Sequence, residues 1–144
     1  MRNVVIGVIL LVLVAGAGWY LWSTESGSRM VWHNANKDMI TLDLIKPGVT
    51  VLPTFTVTGQ ARGTWYFEAS FPVEVLDKDG RRLASTAAKA NGDWMTDNFV
   101  PFSATLTIEN YSGPATLVLH KDNPSGLPEN EASVSIPIEV FETH

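Results

Sequence analysis

Apolar side chains follow two unlike patterns along this chain. From Asn3 to Trp22 there is no Asp, Glu, Lys or Arg, and the middle of the run reads V-V-I-G-V-I-L-L-V-L-V-A-G-A-G. Twenty helical residues at about 1.5 Å each cover roughly 30 Å, the thickness of a bilayer's hydrocarbon core, so residues 1–22 are expected to form one N-terminal transmembrane helix. From about residue 41 the period changes to two. Leu42 and Leu44 alternate with Thr41 and Asp43, and Phe55 and Val57 with Thr54, Thr56 and Thr58. Phe71, Val73 and Val75 follow the same rule, as do Ala104, Leu106 and Ile108, then Leu117 and Leu119, then Val134, Ile136, Ile138 and Val140. Apolar side chains on one face and Thr, Ser or Glu on the other are what a half-buried antiparallel strand requires. Turn residues fall between the runs: Pro47-Gly48, Gly59, Asp79-Gly80, Asn91-Gly92, Ser112-Gly113-Pro114 and Asn123-Pro124-Ser125-Gly126.

The pattern predicts seven strands, at 41–45, 54–61, 70–77, 81–90, 100–109, 114–121 and 133–141. That number and spacing over roughly 100 residues predict an all-β fold, an immunoglobulin-like antiparallel β-sandwich of about seven strands. The expected division is an anchor over 1–22, a juxtamembrane linker over 23–40 and the sandwich over 41–144. The linker has neither the helical nor the strand period, although Met30, Val31 and Trp32 in it are candidates for packing on the domain or the membrane. Prolines at 72, 101 and 137 belong on edges or at strand starts, where no ladder hydrogen bond is lost. Pro137, inside V-S-I-P-I-E-V, predicts that the last strand is an edge or is bulged.

Composition removes several alternatives. A chain of 144 residues suits one ordinary domain. It has no cysteine, so the sandwich is without disulfide and no thiolate zinc site, cysteine nucleophile or acylated cysteine is available. A net charge of −5 lacks the basic stripe of a nucleic-acid binder. Residues 91–144 hold one basic residue against eight acidic ones, whereas 23–90 are nearly balanced with eight against seven. The mean hydropathy of +0.08 therefore averages an apolar segment with a polar domain. Arg2 precedes the apolar run and Glu25 follows it, so the positive-inside rule puts the N-terminus in the cytoplasm and the domain on the outer side of the cytoplasmic membrane. Two fates remain open for the run. Ala15-Gly16-Ala17 has the form of a signal-peptidase site, while Trp19, Tyr20 and Trp22 beyond it suit the interfacial belt of an uncleaved single-pass anchor.

No catalytic set assembles from the sequence. The three histidines, His33, His120 and His144, are scattered, and there is neither a phosphate-binding Gly loop nor an H-E-x-x-H pattern. The chain is expected to be no enzyme and to need no cofactor or metal. Asp77-Lys78-Asp79-Gly80 begins like a calcium loop, but Ala88 stands where the bidentate Glu belongs, so a hairpin turn is the expectation. The least ordinary stretch is Gln60-Ala61-Arg62-Gly63-Thr64-Trp65-Tyr66-Phe67-Glu68. Strand alternation cannot turn three consecutive aromatics into one core, so Tyr66, or the Trp65/Phe67 pair, is expected outside or in a loop. Two uses follow: an aromatic platform beside Arg62, or a crossover loop that covers the end of the sandwich. Trp94, in Asn91-Gly92-Asp93-Trp94-Met95-Thr96-Asp97, is likewise a core plug or an exposed anchor.

The segments G-Q-A-R-G-T-W-Y-F-E-A-S-F-P-V-E-V-L-D-K-D-G (59–80), G-D-W-M-T-D-N-F-V-P-F (92–102) and K-D-N-P-S-G-L-P-E-N (121–130) have further weight. In order and spacing the run from Pro47 to Val140 resembles the bacterial spore germination immunoglobulin-like domain family. The resemblance implies an Ig-like β-sandwich in an exported, envelope-associated bacterial protein, with no catalytic residues to carry over. The expected function is a non-catalytic, membrane-anchored extracytoplasmic module that contacts an envelope protein or a cell-wall polymer. The expected binding residues are Arg62, Trp65, Tyr66 and Trp94, since exposed aromatics and Arg make interface anchors. The alternative is a carbohydrate or peptidoglycan-binding module that stacks sugar on the same aromatics. Neither the partner's identity nor the oligomeric state follows from the sequence.

Overall fold

A computed structural model describes residues 29–142. The described residues form nine strands and two short 3-10 turns. The strands are β1 (Val31–His33), β2 (Ile40–Leu42), β3 (Val49–Val51), β4 (Thr54–Arg62), β5 (Ser70–Leu76), β6 (Arg82–Ala90), β7 (Phe99–Thr107), β8 (Gly113–His120) and β9 (Ser133–Val140). All seven expected strands are present, with ends displaced by at most a few residues. The alternation that predicts them is visible as burial: β7 buries Val100, Phe102, Ala104 and Leu106 and leaves Pro101, Thr105 and Thr107 outside. The transmembrane run lies outside the described residues, among which no helix is long and apolar enough to cross a membrane.

The hydrogen-bonded path runs β1-β9-β8-β5-β6-β7-β4-β2, with β3 also on β9. Three neighbours, β4–β7, β5–β6 and β8–β9, pair over most of their length, whereas β6 meets β7 only at Lys89↔Ser103 and Ala90↔Phe102. There the sheet curls over on itself, and its two halves enclose one core in the manner of a sandwich. Trp65, Phe71, Phe102, Ile40, Leu106, Leu117, Leu119 and Ile136 are its largest fully buried side chains. Each buried Leu, Ile or Phe contributes about 1.5–3 kcal/mol relative to exposure, and with no cysteine in the chain this packing takes the place of a cross-link.

Three sequence expectations are corrected. Part of the stretch read as linker belongs to the sheet: β1 pairs with β9 and Ile40 is buried at the start of β2. Segments of three residues are too short to display a period, so β1 and β3 left no legible signal. The sheet is not wholly antiparallel, because β3 runs parallel to β9, Val49 beside Ile138. Strand β9 is neither a free edge nor bulged at Pro137. It has β8 on one side and, on the other, β1 opposite 133–135 and β3 opposite 138–140. Pro137 sits in the gap between those two, where its missing N–H is not needed, and its carbonyl accepts a hydrogen bond from the Gly48 N–H at 2.8 Å.

Candidate functional site

The aromatic stretch takes the second of its two possible forms. After β4 the chain enters a 3-10 turn, Gly63–Trp65, which breaks the strand alternation and lets two neighbouring side chains point inward. Trp65 is 1% and Tyr66 4% exposed, so the exposure on which their expected contact role rests is missing. Both rings pack edge-on to Phe71, at 6.3 and 5.1 Å between centroids. The Tyr66 hydroxyl donates to the Val100 carbonyl at 2.6 Å, and burial pushes its pKa up to about 12. Gly63 is required by close approach: a Cβ there would lie 1.8 Å from the Thr96 carbonyl oxygen and 2.3 Å from that of Trp94.

Arg62 and Trp94 are half-buried and hold this end of the domain together. Arg62 donates from Nε to the Asp38 carbonyl at 2.9 Å and from Nη1 to that of Asp97 at 3.4 Å, with its guanidinium 4.0 Å above the Phe99 ring. It thereby ties the turn before β2 to the loop between β6 and β7. Trp94 packs against the core. Of the three consecutive aromatics only Phe67 reaches the surface, at 42% exposure. Phe67 and Ser70 exchange backbone hydrogen bonds of 3.0 and 3.1 Å around Glu68 and Ala69, both at positive φ. Such a two-residue turn favours Asn-Gly, and each non-glycine residue in it costs roughly 1–2 kcal/mol.

A second cluster was not foreseen. The outer faces of β6, β5 and β8 form an open groove of about 560 Å³ that includes Ser70, Glu74, Arg82, Ser85, His120 and Asp122. Glu74 is at its centre. Its Oε1 lies 3.0 Å from His120 Nε2, and its Oε2 accepts from Arg82 Nε at 3.0 Å. Burial pushes the Glu74 carboxyl up, but the hydrogen bonds and charges of His120 and Arg82 outweigh it and hold the group below its usual range. Burial followed by the nearby Glu68 charge pushes Asp122 the other way. The three central residues occupy outward strand positions, a visible property of the sequence. Their meeting depends on β8 lying beside β5, and no local pattern encodes that neighbour.

The groove borders a free strand edge. Ala90 donates to the Ala69 carbonyl at 2.9 Å, on the β5 side, and Asn91 to the Pro101 carbonyl at 2.8 Å, on the β7 side. Alternation along β6 then turns the N–H and C=O of Ser85 and Ala87 away from β5, up to the register shift at Leu83. Because β6 pairs with β7 only at its last two residues, these groups have no neighbouring strand. The six residues Leu83–Ala88 carry no charge and no proline, the usual devices that blunt an edge.

The Asp77 stretch is the expected turn. Asp77 and Arg81 close the β5–β6 hairpin with a 2.8 Å backbone bond, and Gly80 takes φ +81°. Asp77 Oδ1 accepts the backbone N–H groups of Arg81 and Asp79, at 2.9 and 2.8 Å, and Oδ2 accepts from Arg81 Nε at 3.1 Å. Its carboxylate is committed to the turn. Among the described residues no three His, Cys, Asp or Glu side chains gather in a way that would hold a metal ion.

The chain matches the family model described as the immunoglobulin-like domain of bacterial spore germination over residues 46–126. The match spans β3 to β8 and the loop after it, and so includes the buried aromatic turn and the groove. No curated protein matches the chain.

Proposed function

From the premise that this chain belongs to the immunoglobulin-like domain family of bacterial spore germination, we propose that it is a non-catalytic contact module. In this reading residues 1–22 hold it at the outer side of the cytoplasmic membrane, and it meets another envelope protein through β6 and the groove beside it. The carrying observation is the free edge at Ser85 and Ala87 next to the Glu74–Arg82–His120 cluster. Unpaired main-chain groups recognise an extended segment of another protein by strand addition, while groove side chains select which segment. Sugar recognition has less support, since Trp65 and Tyr66 are in the core and Trp94 packs against it, which leaves Phe67 as the one well-exposed ring of the four.

The test is capture from native membranes with the full chain as bait, beside a Ser85→Pro variant. Ser85 presents its N–H to the free edge, so proline removes an edge donor and spares the β5–β6 ladder. A partner captured by the parent and lost by the variant, at unchanged circular dichroism, supports strand addition. Equal capture by both would overturn it. A Trp fluorescence shift on titration with millimolar peptidoglycan fragments would favour the sugar reading instead.

A further inference from the structure

The two ends of the strand path, β1 and β2, meet on the side of the domain away from the β6–β7 fold. Met30, Trp32, Ile40, Leu42 and Val134, with Lys37, line one apolar cleft of about 230 Å³ between them. The chain on either side of the cleft adds two apolar side chains that the core does not use, Val31 at 61% and Leu44 at 81% exposure. Isolated exposed apolar residues are ordinary, but these two stand within two residues in sequence of those that line an apolar cleft, in a stretch, 31–46, whose exposed charges are Lys37 and Lys46 with Asp38 and Asp43.

Charge separates this edge from the rest of the domain. Residues 29–46 contain three basic and two acidic residues, whereas 47–144 contain six basic and twelve acidic. An anionic surface therefore repels the body of the domain and spares this edge. Chain length adds the occupant. Six residues lie between Trp22, the end of the apolar run, and Arg29, and even fully extended the seven steps from one to the other reach at most roughly 25 Å. β1 begins two residues later.

We infer that the β1/β2 edge rests on an anionic phospholipid bilayer, with Val31 and Leu44 at the headgroup boundary and Lys37 and Lys46 toward the lipid phosphates. The inference rests on residues 1–22 anchoring the chain. The energetics are those of interfacial segments: apolar area buried at the headgroup boundary plus attraction between lysine and anionic lipid. The β6 edge then faces away from the membrane, open to a partner.

The absence of cysteine makes a direct test simple. Val31→Cys, Leu44→Cys, Ser85→Cys and Thr105→Cys are made singly in the full chain and labelled with a nitroxide. Each is reconstituted into vesicles of phosphatidylcholine with phosphatidylglycerol. Flotation first reports whether the chain is anchored. Collision with oxygen and with a water-soluble nickel complex then reports the depth of each label. The expected result is a several-fold higher oxygen-to-nickel ratio at 31 and 44 than at 85 and 105. Replacing Lys37 and Lys46 with Gln, or omitting phosphatidylglycerol, should reduce that contrast. Floating protein with all four labels equally aqueous would overturn the inference and leave the anchor standing. Failure to float removes the anchor and the inference with it. Dipolar broadening between Leu44→Cys labels on two chains would overturn it in favour of a second copy seated on this edge.

Discussion

Tyr66 and Glu74 show how one side chain's surroundings decide its use. A tyrosine hydroxyl survives in the core because the Val100 carbonyl accepts from it; the neighbouring Trp65 Nε1 is buried and finds no partner among the described residues. Tyr66→Phe keeps the ring packing on Phe71 and gives up the hydroxyl's hydrogen bond to the Val100 carbonyl, which retains its ladder partner Ala61. The expected loss is about 0.5–1.5 kcal/mol, read as a lower urea midpoint at unchanged slope. Glu74 has a folded pKa held below its usual range, so its contribution is fully present above that range. It is lost as pH falls through the folded value. Glu74→Gln is therefore expected to destabilise the domain by about 1 kcal/mol near neutral pH. The difference from the parent should close in acid, below roughly pH 4. Paired urea titrations at the two pH values check both the size and the sign.

At the scale of elements, the strands divide by length. The longer ones carry enough inward and outward positions for burial to write its period into the sequence. Thr54–Thr107 and Thr56–Thr105, hydroxyls 3.1 and 2.9 Å apart, are the outward record of the β4–β7 register. Ile136 is the inward record in β9. Ile136→Asp places a charge in the core and is expected to unfold the domain, at a cost of several kcal/mol. Thr105→Asp gives up one cross-strand pair and should cost under about 1 kcal/mol. Thermal melts of both variants test the register, and similar behaviour would show it to be wrong. β1 and β3, three residues each, owe their place to the flank of β9 that Pro137 divides, and the 3-10 turn owes its place to the Gly63 contact with Thr96. Neither cause is local in sequence.

For the molecule as a whole, one contiguous core draws on β2 through β9 and on the aromatic turn. No half of the curled sheet keeps a core of its own. Urea unfolding is thus expected to give a single transition, with Trp fluorescence and far-UV circular dichroism coincident; separate midpoints would mean that the halves unfold independently. The sequence by itself determined the class of fold, seven of the nine described strands and the inward face of five of them, β4, β5, β7, β8 and β9, because one-sided burial imposes a period of two on any long strand; in the short β2 the face read from Leu42 and Leu44 fails, Leu44 being exposed. It also determined the absence of cross-links and the acidic second half. Only the tertiary structure decided which strands are neighbours. From that came the cluster of Glu74, Arg82 and His120, the free edge of β6, the cleft between β1 and β2, and the burial of Trp65 and Tyr66. The physical reason is the same in each case: these features join residues distant in sequence, or depend on a short turn whose shape is set by what it packs against, and periodicity records only which side of its own strand a residue occupies.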